Sequence, residues 1–180
     1  QGFTAIPFSE EDGGLNGGPI ETMLIMKEIG RGLVLEPYLE NVILAGGVLK
    51  RLATDEQKSK WLSKIINGEL QSTLAFTEPQ SRFNLNDVAT IAKDNGDKVI
   101  INGKKSFVLN GKEADIIIVP VRTSGSQTEA EGISLFVVES DLPGITKNNY
   151  KTVDGHSASE IIFKNVEVNK DNLLGELGKG

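Results

Sequence analysis

The spacing of apolar residues changes once along this 180-residue chain, near residue 70, and that change limits the folds open to it. Before it, Ile20, Met23 and Leu24, and then Val34 to Leu52, place apolar side chains three and four apart, with Tyr38, Val42 and Ala45 along one face, as amphipathic helices do. Thr54-Asp55-Glu56-Gln57 is a capping-box sequence that starts a further helix; Gly68 ends it, and Trp61, Leu62, Ile65 and Ile66 form its buried side. Glu10 to Gly18 is too rich in charge and glycine to pack as an element and reads as a loop. After Leu70 the apolar residues come in short β runs separated by turn residues. The predicted fold class is α+β, with a helical segment over 1–70 followed by a mostly antiparallel β domain over 71–180.

Within the β half, Lys98 to Ile101 and Lys104 to Leu109 flank Asn102-Gly103, a pair favoured in tight hairpins because both central residues need positive φ. A hairpin is predicted there. Ile116 to Val119 is apolar throughout, as suits a strand buried on both faces, and Pro120 is expected to end its ladder or place it at an edge. Gly132 to Glu139 and Ser159 to Val168 supply two more strands, with Asp141-Leu142-Pro143-Gly144 as a turn between them. Ser124 to Glu131 reads as an exposed, mobile loop.

Charge and composition narrow the chemistry. A formal net charge of -6 argues against nucleic acid as a partner, since binding it needs massed Lys and Arg. No apolar run reaches the ~20 residues of a membrane span, and Gln1 to Phe8 lacks the basic and apolar parts of a leader, so a soluble, cytoplasmic chain is expected. With no cysteine and a single histidine, disulfides, zinc–thiolate sites, thiol nucleophiles and His-rich metal sites are excluded within this chain, and no metal site is expected. His156 reads as a solvent-facing loop residue. Gly13-Gly14 and Gly17-Gly18 lack a preceding strand and a following Gly-Lys-Ser/Thr, so a flexible loop is expected rather than a phosphate cradle. The missing initial Met and the unfinished Leu173 to Gly180 read as cut ends.

Leu74-Ala75-Phe76-Thr77-Glu78-Pro79 runs an apolar strand into a hydroxyl, a carboxylate and a proline that must leave the ladder. Such an end exposes amides and carbonyls. It suits either an ordinary strand stop or the donor and acceptor edge of a planar heterocycle.

Six segments in order resemble the acyl-CoA dehydrogenase family. They are Glu11-Asp12-Gly13-Gly14, Ala75-Phe76-Thr77-Glu78-Pro79, Asn102-Gly103-Lys104-Lys105-Ser106-Phe107 running to Asn110-Gly111, Gly132 to Val138, Leu142-Pro143-Gly144, and Asn172-Leu173-Leu174-Gly175. The resemblance implies part of an N-terminal all-α domain over 1–70 and the family's middle β domain over 71–180, without its C-terminal helical bundle. It implies FAD-dependent α,β-dehydrogenation of an acyl-CoA thioester, with an electron-transfer acceptor and a homo- or hetero-oligomer of related chains as partners. Phe76, Thr77, Ser81, Arg82, Phe107, Val108 and Leu109 would bind the cofactor, and Phe83 would meet the substrate. No residue of this chain is implied as catalytic; the base would be a glutamate beyond Gly180, and the 180 residues alone would be inactive.

Departures from the family pattern fall at Gln80 to Asn84, where Phe83 replaces a serine, and at Leu109, which replaces a threonine. Gln80-Ser81-Arg82 and Val108 to Gly111 resemble the small subunits of pimeloyl-CoA-type dehydrogenases, in which two unlike chains cooperate. The alternative expectation is therefore a non-catalytic or half-site partner subunit of a heteromeric acyl-CoA dehydrogenase.

Overall fold

A computed structural model describes residues 2–180, and the molecule is α+β. It separates into two compact units, one ending at Ser72 and one running from Thr73 to Gly180.

In the first unit, helix α1 (Pro19–Gly32) begins where the Glu21 carboxylate accepts from the Gly18 amide at 2.7 Å, and it stops at Leu33 in the left-handed region. Ile20, Met23 and Leu24 have helical spacing, yet no residue of α1 is buried. The predicted helix from Val34 starts later, because Pro37 disfavours α geometry at Glu36. The chain is wound as a π-helix over Leu39–Ala45 and continues into α2 (Gly46–Leu52), burying Tyr38, Val42, Ala45 and Leu49.

The capping box at Thr54 forms: its hydroxyl accepts from the Gln57 amide at 3.2 Å and the Gln57 side chain accepts from the Thr54 amide at 3.0 Å. From it run α3 (Asp55–Gln57), a π-wound stretch and α4 (Ser63–Ile66), with Trp61, Leu62, Ile65 and Ile66 buried. In the glycine-rich loop, a Cβ on Gly14 would lie 2.2 Å from the Phe8 carbonyl oxygen. That glycine serves close packing of backbone on backbone.

The second unit is built on one sheet. Its strands are β1 (Ser72–Leu74), β2 (Ile91–Asn95), β3 (Lys98–Leu109), β4 (Ile116–Arg122), β5 (Ile133–Glu139), β6 (Ile145–Lys151), β7 (Ser157–Asn169) and β8 (Leu173–Leu174). Their order is β6-β7-β3-β2-β4-β5-β8, with β1 also paired to β4. The β2–β3, β3–β7, β4–β5, β5–β8 and β6–β7 pairings are antiparallel, and Ile91 of β2 meets Arg122 of β4 in a parallel register. Ile101, Val108, Ile117, Val119, Phe136 and Ile161 are among the residues that make the core.

Two expectations are corrected here. Asn102-Gly103 is not a hairpin but lies inside the continuous twelve-residue β3, and the turn is Gly96-Asp97, where Asn95 faces Lys98. Gly103 is needed for a different reason, since a Cβ there would lie 2.5 Å from Thr90 Oγ1 and 2.6 Å from Thr90 Cα. Pro120 neither ends β4 nor puts it at an edge: every residue of β4 is buried and Pro120 faces Leu135. On the other side of β4, Ile118 accepts from the Ala75 amide at 2.9 Å and the Arg122 amide donates to Thr90 at 2.7 Å. Pro120 sits between these two positions, where β4 passes from β1 to β2 and no amide proton is called for.

Candidate functional site

The site predicted at the end of β1 is assembled from two backbone segments. Ala75 makes the last ladder bond to β4, after which Phe76 and Thr77 leave it. The Thr77 carbonyl then accepts from the Ser106 amide of β3 at 2.9 Å, and the Thr73 hydroxyl donates to the Leu109 carbonyl at 2.6 Å. These bonds bring residues 76–77 against 106–109, the two stretches that the sequence reading paired.

The second stretch is shaped by a bulge. Lys105 faces Ile161 and Val108 faces Ser159 on β7, so β3 carries one residue more than its partner across this step. Phe107 takes up the excess with φ 51°, a left-handed conformation that is costly for an aromatic residue. Val99, Ile101 and Lys105 share one inward-facing parity, on which residue 107 would also point inward. The extra residue reverses the alternation. Val108 enters the core, and Phe107 stands 53% exposed.

Phe76 is 42% exposed, so two aromatic side chains project from segments joined by the Ser106–Thr77 bond. Thr77 and Leu109 are half-buried. The Val108 side chain packs in the core, and its carbonyl accepts from the Gly111 amide at 3.2 Å. Ser81 is buried, and its hydroxyl donates to the Glu78 carbonyl at 3.0 Å while accepting from the Glu78 amide at 3.0 Å. Its one proton is engaged within the turn, which it closes. Arg82, at φ 49°, and the fully exposed Phe83 lie on the outside of that turn.

Beneath the turn lies a feature that the sequence reading missed. Glu78 and Lys105 are 2% and 0% exposed, with Lys105 Nζ 2.7 Å from Glu78 Oε1. The same carboxylate accepts from the amides of Ala89, at 2.8 Å, and Thr90, at 3.1 Å, and from the Gln80 side chain at 2.9 Å. Burial pushes the Glu78 carboxyl up, but the Lys105 charge and hydrogen bonds from Lys105, Gln80 and Thr90 outweigh it and hold it below the usual glutamate range. Burial pulls the Lys105 ammonium below the usual lysine range, opposed by Glu78. The legible signal was parity: Lys105 continues the inward positions of Val99 and Ile101, and a lysine pointing into a core requires an acid.

Nearby, the Arg122 guanidinium is buried and donates to the carbonyls of Asn86, Gln127, Glu129 and Glu131 at 2.6–3.0 Å, which ties the exposed 124–131 loop to the segment entering β2. Among the described residues, no group of three or more His, Cys, Asp or Glu is placed to hold a metal ion, and no helix is long and apolar enough to cross a membrane.

Comparison with known proteins bears on this geometry. Residues 73–166 match the family model of the acyl-CoA dehydrogenase middle domain, and residues 1–69 that of the acyl-CoA dehydrogenase N-terminal domain. The chain is 36% identical to the 3-(aryl)acrylate reductase of Clostridium sporogenes, over 99% of this chain and 48% of that protein. It is 34% identical to a subunit of the caffeyl-CoA reductase-Etf complex of Acetobacterium woodii, again over 99% of this chain and 48% of that protein. The crystal structure of an acyl-CoA dehydrogenase from Geobacillus kaustophilus superposes with a TM-score of 0.91 at 35% identity, covering 99% of this chain and 48% of that one. The chain thus spans about half the length of the relatives it matches.

Proposed function

The chain belongs to the acyl-CoA dehydrogenase family, and from that premise we propose that it supplies the flavin and thioester cradle for FAD-dependent α,β-dehydrogenation of an acyl-CoA. The observation that carries this reading is the strand end. Phe76 and Phe107, both exposed, rise from backbones tied together by the Ser106–Thr77 bond, and the chain beyond Ala75 has left the ladder with its polar groups. A planar ring with alternating donors and acceptors fits such a place.

FAD, when bound, accepts the β-hydrogen of the thioester as a hydride. The chain's own part is to bind and orient. Phe76 and Thr77 line one edge of the isoalloxazine, while Phe107, the Val108 backbone and Leu109 take its other side. Arg82 faces the diphosphate with a fixed positive charge, and Phe83 meets the substrate. The α-proton acceptor belongs to a region outside residues 1–180, so these residues alone are inactive. An electron-transfer acceptor then takes the electrons onward. The Acetobacterium relative's name, which joins it to Etf, supports such a partner and assembly with other chains.

The full-length protein carrying this chain should purify yellow, and its visible flavin absorption should bleach on addition of acyl-CoA. A colourless protein unable to take up FAD would refute the cradle. The engagement of the Ser81 hydroxyl inside its own turn favours a second reading, a partner subunit without a complete site of its own. FAD at half the number of chains, in a complex with a related chain, would select it.

A further inference from the structure

The Glu78–Lys105 pair joins three segments at one point. Glu78 directly follows Phe76-Thr77, Lys105 directly precedes the Ser106-Phe107 bulge, and Ala89 and Thr90 lead into β2. The two aromatic-bearing backbones are therefore linked twice, by the Ser106–Thr77 hydrogen bond of 2.9 Å and by the ion pair of 2.7 Å. An apolar pair of similar volume fills a core as stably as a buried ion pair, or more so. It does not fix a distance, however, whereas a charge-assisted hydrogen bond holds both length and direction. The carboxylate also keeps little freedom, since amides and the Gln80 side chain occupy its remaining acceptor sites.

We propose that Glu78 and Lys105 act together as a positioning clamp that sets the spacing of the 76–77 and 106–109 backbones against the flavin ring. The inference rests on the flavin reading above. Neither residue is a catalytic residue; both act through the segments they hold.

The test uses the full-length protein in three forms: unmodified, the neutral double variant Glu78→Gln/Lys105→Met, and Glu78→Asp, which keeps the charge on a shorter arm. Thermal unfolding, FAD affinity and the visible circular dichroism of bound FAD are measured on each. The double variant is expected to unfold at much the same temperature as the unmodified protein, yet to bind FAD at least about tenfold more weakly and with an altered visible dichroism. Glu78→Asp should shift the same dichroism with a smaller loss of affinity, and it decides the matter should the double variant not fold. Variants that fold and bind FAD with unchanged affinity and dichroism overturn the clamp. An unmodified protein that takes up no FAD overturns the flavin reading and the clamp with it, an outcome distinct from losses confined to the variants.

Discussion

The two segments facing each other at the site are held in place by different forces. Residues 76–83 follow a turn organised around buried charge and hydrogen bonds: the Glu78 carboxylate, its four donors, and the Ser81 hydroxyl closing the turn. Residues 103–109 supply the other half of that ion pair, Lys105, but are otherwise held by sheet pairing and steric fit, with Gly103 pressed on Thr90 and a bulge that forces Phe107 outward. The first segment should respond to charge and pH, the second to atomic volume and backbone conformation.

The sharpest way to break this contrast is Lys105→Ala. It strands the Glu78 carboxylate in the core, and a loss of about 3–5 kcal/mol in chemical denaturation is expected. A loss below about 1 kcal/mol would mean that the pair does not anchor its turn.

Acid gives the second test. The folded-state pKa of Glu78 lies below its unfolded value, so its contribution is present above the usual glutamate range and is lost as the pH falls through the lower folded-state value. Glu78→Gln should flatten this part of the stability profile, as measured by denaturant midpoints across the acid range. An unchanged slope would show that other carboxyls carry it.

Gly103→Ala probes the steric segment and should cost about 1–3 kcal/mol by overpacking. Thr90→Ala should fail to rescue it, because the clash includes Thr90 Cα at 2.6 Å and Cβ at 2.7 Å, which alanine retains. Rescue would place the strain in the hydroxyl instead.

The smallest effect has the opposite sign. Phe107→Gly relieves a left-handed aromatic residue whose ring is half exposed, so thermal stability should hold or rise by up to about 1 kcal/mol while FAD affinity falls. Loss of both together would mean that the ring serves the fold.

Much of the fold was legible, and the misses have physical causes. The helix from Thr54 is specified locally, by its cap and four apolar residues on one side, and it formed as read. The hairpin was misplaced because Asn-Gly recurs through this part of the chain, at 95–96, 102–103 and 110–111, while the turn itself centres on Gly96-Asp97. Only the inward parity running through Val99, Ile101 and Lys105 distinguishes them, and a lysine on that parity disguises it. Strand β6 left almost no pattern, since it lies at the sheet edge with most of its side chains in solvent. At the site, the positions of Phe76, Thr77, Phe107 and Leu109 follow from motif order. The buried carboxylate beneath them depends on a contact across 27 residues, which periodicity does not report.

The extra residue in β3 has a consequence for how this site can diverge among related chains. Which side chain faces outward after Lys105 depends on the number of residues between two fixed ladder positions. Point substitution at 107 only exchanges one outward group for another. Loss of a single codon in this interval would remove the bulge and with it one outward-facing group, while Val108 and Leu109 would keep their ladder partners Ser159 and Ala158. Divergence by substitution is therefore gradual here, while divergence by length is all or none, so a relative lacking the extra residue would present a different set of side chains even with an unchanged alphabet of residues.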